Sequence, residues 1–333
     1  MRIEKIQSAN RIDITWNKLI VSAYQKIDFL SHLEAYNPCK QRYYLLYDND
    51  ELCAGAIVYS LKMNILTFSK FNLNLPFSIL GIPTSVDASG MIGNEKYYEF
   101  LVQHILKDEK GITLCLNYDN ILGVKNIVQM QTLPTLIFKN DFNSLTHYCE
   151  SLKHNYRRRI SQAQKKFLGV EKLTEPCSSF NDEHYNQYIS IMKRTKTKLE
   201  LLNKEFFVNL CSDYTLHSFY INKILLTWHI TTKNFDVYYF LFGGINYQFR
   251  DIYDSYYNNL ISIIQEGIEL ECKTMSLGQT AEISKNRLGA KLIPQRMFIH
   301  HSNKIINTIF LICKNFLTYK TKTIHANIYK SNL

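Results

Sequence analysis

Residues 242–301 read FGGINYQFRDIYDSYYNNLISIIQEGIELECKTMSLGQTAEISKNRLGAKLIPQRMFIHH. Phe242-Gly243-Gly244 closes an aromatic-rich run at 236–242, which reads as a strand. A polar loop with Arg250 and Asp251 follows. From 253 to 270 the apolar residues recur at helical spacing, and Asp254 stands at the start as an N-cap candidate. A second strand at 273–277 runs into Gly278-Gln279-Thr280-Ala281-Glu282. A short helix then presents Lys285 and Arg287 before Gly289, and a last strand covers 296–301. Strand, long helix, strand, short helix, strand is an α/β alternation.

Upstream of this stretch, strands at 215–221, 224–231 and 236–242 are joined at Asn222-Lys223 and Lys233-Asn234, dipeptides suited to hairpin turns. Asn181 and Asn203 are N-cap candidates for two helices, separated by a basic loop at 193–198. A short strand is expected at 170–173. Before it, Phe142, Leu145, Cys149, Leu152, Tyr156, Ile160, Ala163 and Phe167 recur at steps of three and four. That pattern is one face of a helix, or of two helices nearly in line, with Lys153, His154, Arg157, Arg158, Lys165 and Lys166 on its polar side; Arg157, Arg158 and Arg159 are the densest positive group and candidates to hold a pyrophosphate.

The first 140 residues repeat the order of elements. Strands are expected at 3–7, 42–47, 52–61, 64–71, 112–116 and 134–138, with another ending before Pro83. Helices are expected after Asp13, at 29–36, and at 95–106 behind Asn94. The expected fold is therefore α/β with two tandem domains, residues 1–140 and 141–333, each a mixed, mostly antiparallel sheet flanked by helices. The second carries a C-terminal extension. The repeat is one of element order, with no matching residues.

The chain has 333 residues, 46% of them hydrophobic, which is ample for packed cores and excludes global disorder. Lys and Arg exceed Asp and Glu by 39 to 29, a formal charge of +10. That excess favours anionic partners such as nucleotides, phosphorylated cofactors, tRNA or an anionic membrane surface; the plainer alternative is an inert basic surface. Eight cysteines are scattered without a C-x-x-C pair or a close Cys/His cluster, so neither a metal site nor a disulfide framework is expected. Cys177, beside Pro176, reads as an accessible loop thiol with no base to activate it. The N-terminal residues lack the apolar core of a signal peptide. The apolar run at 305–317 is too short to span a bilayer. Cytoplasmic residence is expected, with peripheral membrane contact left open.

Four motifs in order, Asn155-Tyr156-Arg157-Arg158-Arg159-Ile160, Phe242-Gly243-Gly244, Tyr253-Asp254-Ser255-Tyr256-Tyr257 and the 278–289 segment, resemble those of GCN5-related (GNAT) acyltransferases. The tandem architecture is similar to that of the Fem-like and peptidoglycan-biosynthesis-related group. The resemblance implies two GNAT-like domains and transfer of an acyl or aminoacyl group to an amine or hydroxyl. The implied donor is acyl-CoA or another acyl thioester, or aminoacyl-tRNA as in the Fem branch. The implied acceptor is a small molecule or a cell-wall precursor. Transfer would be direct, between the splayed strands 236–242 and 273–277, without a covalent enzyme intermediate. Lys285 and Gly289 match the K-x-x-x-G element of the group, which assigns Lys285 to oxyanion or donor-phosphate stabilisation.

Gln279 is then a positioning donor and Glu282 the acceptor of the substrate's proton. Arg250, Tyr253, Tyr256, Arg157 and Arg158 are the donor- and phosphate-binding candidates. Each has a plainer reading: Lys285 as a solvated helix cation, Glu282 as a helix start, the arginines as a solvated face, Asp254 as an N-cap. His300 and His301 read as structural. The chain departs from the group twice. The glycine-rich coenzyme A loop is replaced by Tyr247-Gln248-Phe249-Arg250-Asp251-Ile252, so weak acetyl-CoA binding is expected. The long coiled-coil arm of many tRNA-dependent Fem enzymes is missing. The reading from another class is a catalytically idle tandem GNAT that binds nucleic acid or an anionic surface.

Overall fold

The computed structural model describes residues 1–37, 39–64, 74–195, 200–320 and 326–330. By contact the chain divides into two compact units. The first comprises Met1–Leu133, Lys196–Phe206 and Pro294–Thr321; the second comprises Pro134–Thr195, Phe207–Ile293 and Lys322–Leu333. Among the described residues, thirteen strands of mixed direction, mostly antiparallel, form the sheet framework, with helices against it. The expected α/β class holds.

The first unit starts with β1 (Arg2–Ile6), α1 (Ile27–Tyr36), β2 (Lys40–Asp48) and β3 (Glu51–Asn64). It continues through β4 (Asn74–Leu80), β5 (Met91–Gly93), α2 (Tyr98–Asp108) and β6 (Ile112–Tyr118) into β7 (Val128–Lys139). β1, β2, β3 and β4 pair antiparallel in that order, β4 pairs parallel with β6, and β5 lies on β3. The alternation of apolar residues along β2 and β3 places Tyr44, Leu46, Ala54, Ala56 and Val58 against Leu101, Val102 and Ile105 of α2. Asp13 caps a 3₁₀ turn through Thr15 N, and Asn94 caps another through Lys96 N. The strand expected at 64–71 lies outside the described residues, except for residue 64, which ends β3.

In the second unit the periodic stretch at 141–168 resolves into two helices, α3 (Leu145–Ser151) and α4 (His154–Lys166). They part where Leu152 makes a bridge with Tyr329 and Lys153 N donates to Ile328 O. β8 (Glu171–Pro176) and α5 (Asp182–Arg194) follow; Asn181 caps α5 by accepting from Glu183 N and His184 N. Of the expected basic loop, residues 193 and 194 end α5, while 196–198 lie outside the described residues. α6 (Lys204–Val208) starts behind Asn203, whose Oδ1 accepts from Phe206 N.

β9 (Tyr214–Ile221), β10 (Ile224–Asn234) and β11 (Val237–Ile245) form an antiparallel meander with β8. The first turn is Asn222-Lys223, both left-handed at φ 48° and 65°, the geometry of a two-residue hairpin. The second turn falls at Phe235-Asp236 instead of Lys233-Asn234, because Lys233 and Asn234 remain paired with Tyr238 and Val237. α7 (Ser255–Glu269) then packs Leu260, Ile261, Ile263, Ile264 and Ile268 into a core shared with Leu136, Phe138 and Met275. β12 (Thr274–Ser276) pairs parallel with β11 and antiparallel with β7; α8 (Glu282–Asn286) leads into β13 (Lys291–His301). The end of β13 pairs antiparallel with β6 in the first unit, followed by α9 (Lys304–Ile312) and α10 (Lys314–Leu317). No helix among the described residues is long and apolar enough to cross a membrane.

Candidate functional site

The parallel pairing of β11 and β12 covers only Val237–Tyr239 against Thr274–Ser276. β11 continues to Ile245 while β12 ends, so the two strands part after Tyr239. Gly278 follows the parting at φ 68°, a left-handed conformation that suits glycine. Thr280 and Ala281 are also left-handed, at φ 64° and 49°, which costs strain in residues that carry a Cβ. This contorted backbone leads into α8, which begins at Glu282 as a helix start does.

Lys285 on α8 is only 2% exposed. It is thus no solvated helix cation. Its Nζ donates to the Gln279 carbonyl at 2.8 Å and lies 5.9 Å from the centre of the Phe240 ring, on the first β11 residue past the parting. Lys285, Gln279 and the mouth of the splay are therefore brought together, while Glu282, half-buried, lies one helical turn before Lys285. The other side of β11 explains Phe242-Gly243-Gly244. A Cβ on Gly244 would stand 1.9 Å from Trp228 Nε1, so the buried indole requires a bare backbone there. That indole donates to His184 O at 3.1 Å and packs edge-on against Phe180.

The start of α7 differs from its expected form. Asp254 occupies the N-cap position, left-handed at φ 46°, but its side chain makes no cap bond. Its carboxylate is instead gripped by Arg159 of α4, at 2.9 and 3.0 Å, with Lys166 at 3.1 Å. The Arg159 guanidinium holds the Asp254 carboxyl below its usual range against the opposing effect of burial. Arg159 also lies 4.9 Å over the Tyr257 ring. The Ser255 and Tyr257 hydroxyls at this helix end are buried without a hydrogen-bond partner among the described residues. Arg157 and Arg158 are exposed and make no ion pair among the described residues. The cations that reach the helix end are Arg159, one of the three adjacent arginines noted in the sequence, and Lys166 of the same helix. The signal was faint: an aspartate before the long helix, and cations four residues before and three residues after the buried Ala163.

Arg250 is exposed and forms a two-pronged pair with Asp251, at 2.8 and 2.9 Å. Tyr253 is half-buried, and Tyr256 packs against the second unit's core, where burial raises its hydroxyl pKa. Within the 246–254 turn, backbone amides are used internally: Phe249 N donates to Asn246 O, Tyr253 N to Phe249 O and Ser255 N to Arg250 O. Cys177 is buried at 3% exposure, contrary to the accessible thiol expected, and burial pushes it up to about 12. His300 and His301 are engaged structurally, with Asn126 O and Asn303 N at 2.7 and 2.8 Å.

Among the described residues, positions scattered in sequence meet in one cluster of metal-ligand type: His217, His229 and Glu266, all buried in the second unit. Burial pushes His217 down to about 3, with a contribution from His229. Burial alone would raise Glu266, but His229, His217 and Lys172 outweigh it and hold the carboxyl far below its usual range.

No protein-family model matches the chain, and no curated protein matches it in sequence. Solved structures do. FemX is similar over 92% of this chain and 100% of its own, with a TM-score of 0.58 at 10% identity. A conserved protein of unknown function from Bacteroides thetaiotaomicron is similar over 81% of this chain and 88% of its own, with a TM-score of 0.51 at 7% identity. A tandem GNAT protein from the clavulanic acid biosynthesis pathway gives a weaker likeness, with a TM-score of 0.47 at 6% identity over 91% of this chain and 99% of its own. At identities this low the likeness speaks to architecture alone: the chain carries a FemX-like fold.

Proposed function

We propose that the chain is an acyltransferase that moves an acyl or aminoacyl group from an activated donor directly to an amine or hydroxyl. The observation that carries this reading is the buried Lys285 ammonium at the parting of β11 and β12, 2.8 Å from the Gln279 carbonyl. A fixed cation beside an open strand edge is suited to charge that develops on a carbonyl oxygen. The acceptor's lone pair attacks the donor carbonyl carbon, and the bond between that carbon and the leaving sulfur or oxygen then breaks. Glu282 takes the acceptor's proton, directly or through water, and the leaving group is released as a thiol or hydroxyl after protonation. Gln279 positions the reactants. Arg250, Tyr253, Tyr256, Arg157 and Arg158 serve the donor side, and Arg159 and Lys166 join them at the start of α7.

The internally bonded turn at 246–254 argues for a donor other than one held by a coenzyme A pyrophosphate loop. Aminoacyl-tRNA is the donor this favours, with other acyl thioesters as the second choice. The acceptor class is a small molecule or a cell-wall precursor. The proposal retains two tandem domains, residues 1–140 and 141–333. A peripheral contact with an anionic membrane surface is also part of it, since α9 exposes Ile305, Ile309, Leu311 and Ile312. Native mass spectrometry of the freshly purified chain tests the donor assignment. A retained tRNA or acyl thioester is expected, followed by single-turnover discharge to added amines. Failure of every charged donor to discharge would leave the fold as a binding module for nucleic acid or an anionic surface.

A further inference from the structure

His217 and His229 are direct cross-strand partners on β9 and β10, their ring centroids 4.6 Å apart and their planes 29° apart. Glu266, from the C-terminal half of α7, meets both. Its Oε2 lies 3.0 Å from His229 Nε2 and 3.5 Å from His217 Nε2. One donor atom from each of the three side chains lies within 4.8 Å of the others. Around a tetrahedral zinc ion with bonds of about 2.0–2.1 Å, neighbouring donor atoms stand about 3.4 Å apart. The two separations to Glu266 bracket that edge.

The surroundings orient the three groups. Asn259 Nδ2 donates to Thr227 Oγ1 and to Trp228 O, at 2.6 and 3.0 Å, which fixes its Oδ1 as an acceptor. His229 Nδ1, 3.0 Å from that oxygen, is therefore the donor of the pair, and the neutral ring has its lone pair on Nε2. His217 Nδ1 lies 3.2 Å from Thr174 Oγ1 and its Nε2 3.1 Å from Thr231 Oγ1, hydroxyls that can each donate or accept. Glu266 is anchored through Oε1, which accepts from Ser262 Oγ at 2.7 Å and Lys172 Nζ at 2.6 Å. Tyr238 OH donates to Oε2 at 2.7 Å. A distal ring nitrogen tied to an acceptor, as in His229, and a carboxylate anchored by its other oxygen are outer contacts that metal-binding histidines and glutamates use. Lys172 sits at the rim, its side chain 36% exposed, over a Glu266 side chain that is 7% exposed.

We propose that His217 Nε2, His229 Nε2 and Glu266 Oε2 bind one divalent transition-metal cation of the zinc class. Two imidazoles and one carboxylate suit zinc, cobalt(II) or iron(II) and disfavour magnesium and calcium, which prefer all-oxygen shells. The ion would clamp the β9–β10 hairpin to α7 and leave one position open beside Tyr238.

The test uses the intact chain, stripped with a chelator and then titrated with zinc against a chromophoric competitor. One equivalent per chain is expected, with a rise in Tm on loading. His217→Gln and Glu266→Gln keep hydrogen-bonding capacity and should each weaken zinc on the order of a hundredfold or more. Zinc X-ray absorption of the wild-type protein decides the matter if either variant fails to fold; two imidazole ligands and no sulfur are expected. Binding well below one equivalent, a sulfur-containing shell, or unchanged affinity in both folded variants would overturn the assignment and leave a hydrogen-bonded histidine–glutamate cluster. None of these outcomes depends on acyltransferase activity.

Discussion

Lys285 is buried and donates to the Gln279 carbonyl, so truncating it has two separable effects. Lys285→Ala is expected to lower turnover on the order of a hundredfold or more, as loss of an oxyanion donor does. It should also lower stability by about 1–3 kcal/mol, the usual cost of removing one partner from a buried hydrogen bond. Lys285→Arg keeps the charge but not the shape and should recover stability more than rate. Single-turnover kinetics with the identified donor, alongside urea unfolding, read both effects; wild-type turnover in Lys285→Ala would remove this lysine from the chemistry. Glu200 gives a second test at this scale. Its Oε1 accepts from Ser85 at 3.0 Å, Oε2 has no partner among the described residues, and burial pushes the carboxyl from 4.5 up to about 7. Between those values the folded chain holds a proton that the unfolded chain releases. Stability from this group is thus full below about 4.5 and falls as pH rises to about 7, by at most about 3 kcal/mol. Glu200→Gln should flatten that slope in urea midpoints measured across the window. An unchanged slope would show that Glu200 ionises freely.

At the scale of elements, β10 and β11 are tied together by one glycine. Gly244→Ala would drive a methyl into the Trp228 indole and should cost about 1–3 kcal/mol through overpacking. At Gly243 the nearest atom, Trp228 O, is 3.0 Å from the added carbon, so Gly243→Ala should cost less. Urea unfolding of both variants checks the order; equal costs would mean that the indole yields easily. The elements also show what sequence can and cannot convey. Asn222-Lys223 was legible as a turn because asparagine tolerates the left-handed conformation it adopts. The next turn was misplaced because Phe235 takes φ 51°, which its chemistry does not advertise. Asp254 looked like a cap, and only the arrival of Arg159 from another helix redirects its carboxylate. The histidine pair was hidden by the irregularity between Leu225 and Thr227. Counting evenly outward from Asn222-Lys223 pairs His217 with Trp228; the extra residue brings His229 there instead.

For the whole molecule, element order was the readable signal, since alternating and helical periodicities are local properties. Long-range arrivals were not readable, including the return of the end of β13 to pair with β6. The turn at 246–254 yields a prediction at this scale. Isothermal titration should show weak acetyl-CoA binding or none, because several amides in that turn are already bonded within it. Tight binding would overturn the preference for tRNA. With a formal charge of +10, tRNA binding should weaken steeply as salt rises, whereas binding of a small thioester should change little. A flat salt response from bound tRNA would sink the electrostatic account of that partner.

None of the eight cysteines forms a disulfide among the described residues, and their burial divides them evenly: Cys39, Cys115, Cys177 and Cys272 are buried, while Cys53, Cys149, Cys211 and Cys313 are half-buried. Of the buried four, Cys39 and Cys115 belong to the first unit, and Cys177 and Cys272 to the second. An alkylating reagent therefore meets a built-in clock. The half-buried thiols report the folded surface early. Each later mass increment, located by peptide mapping, timestamps the opening of one unit without any added label.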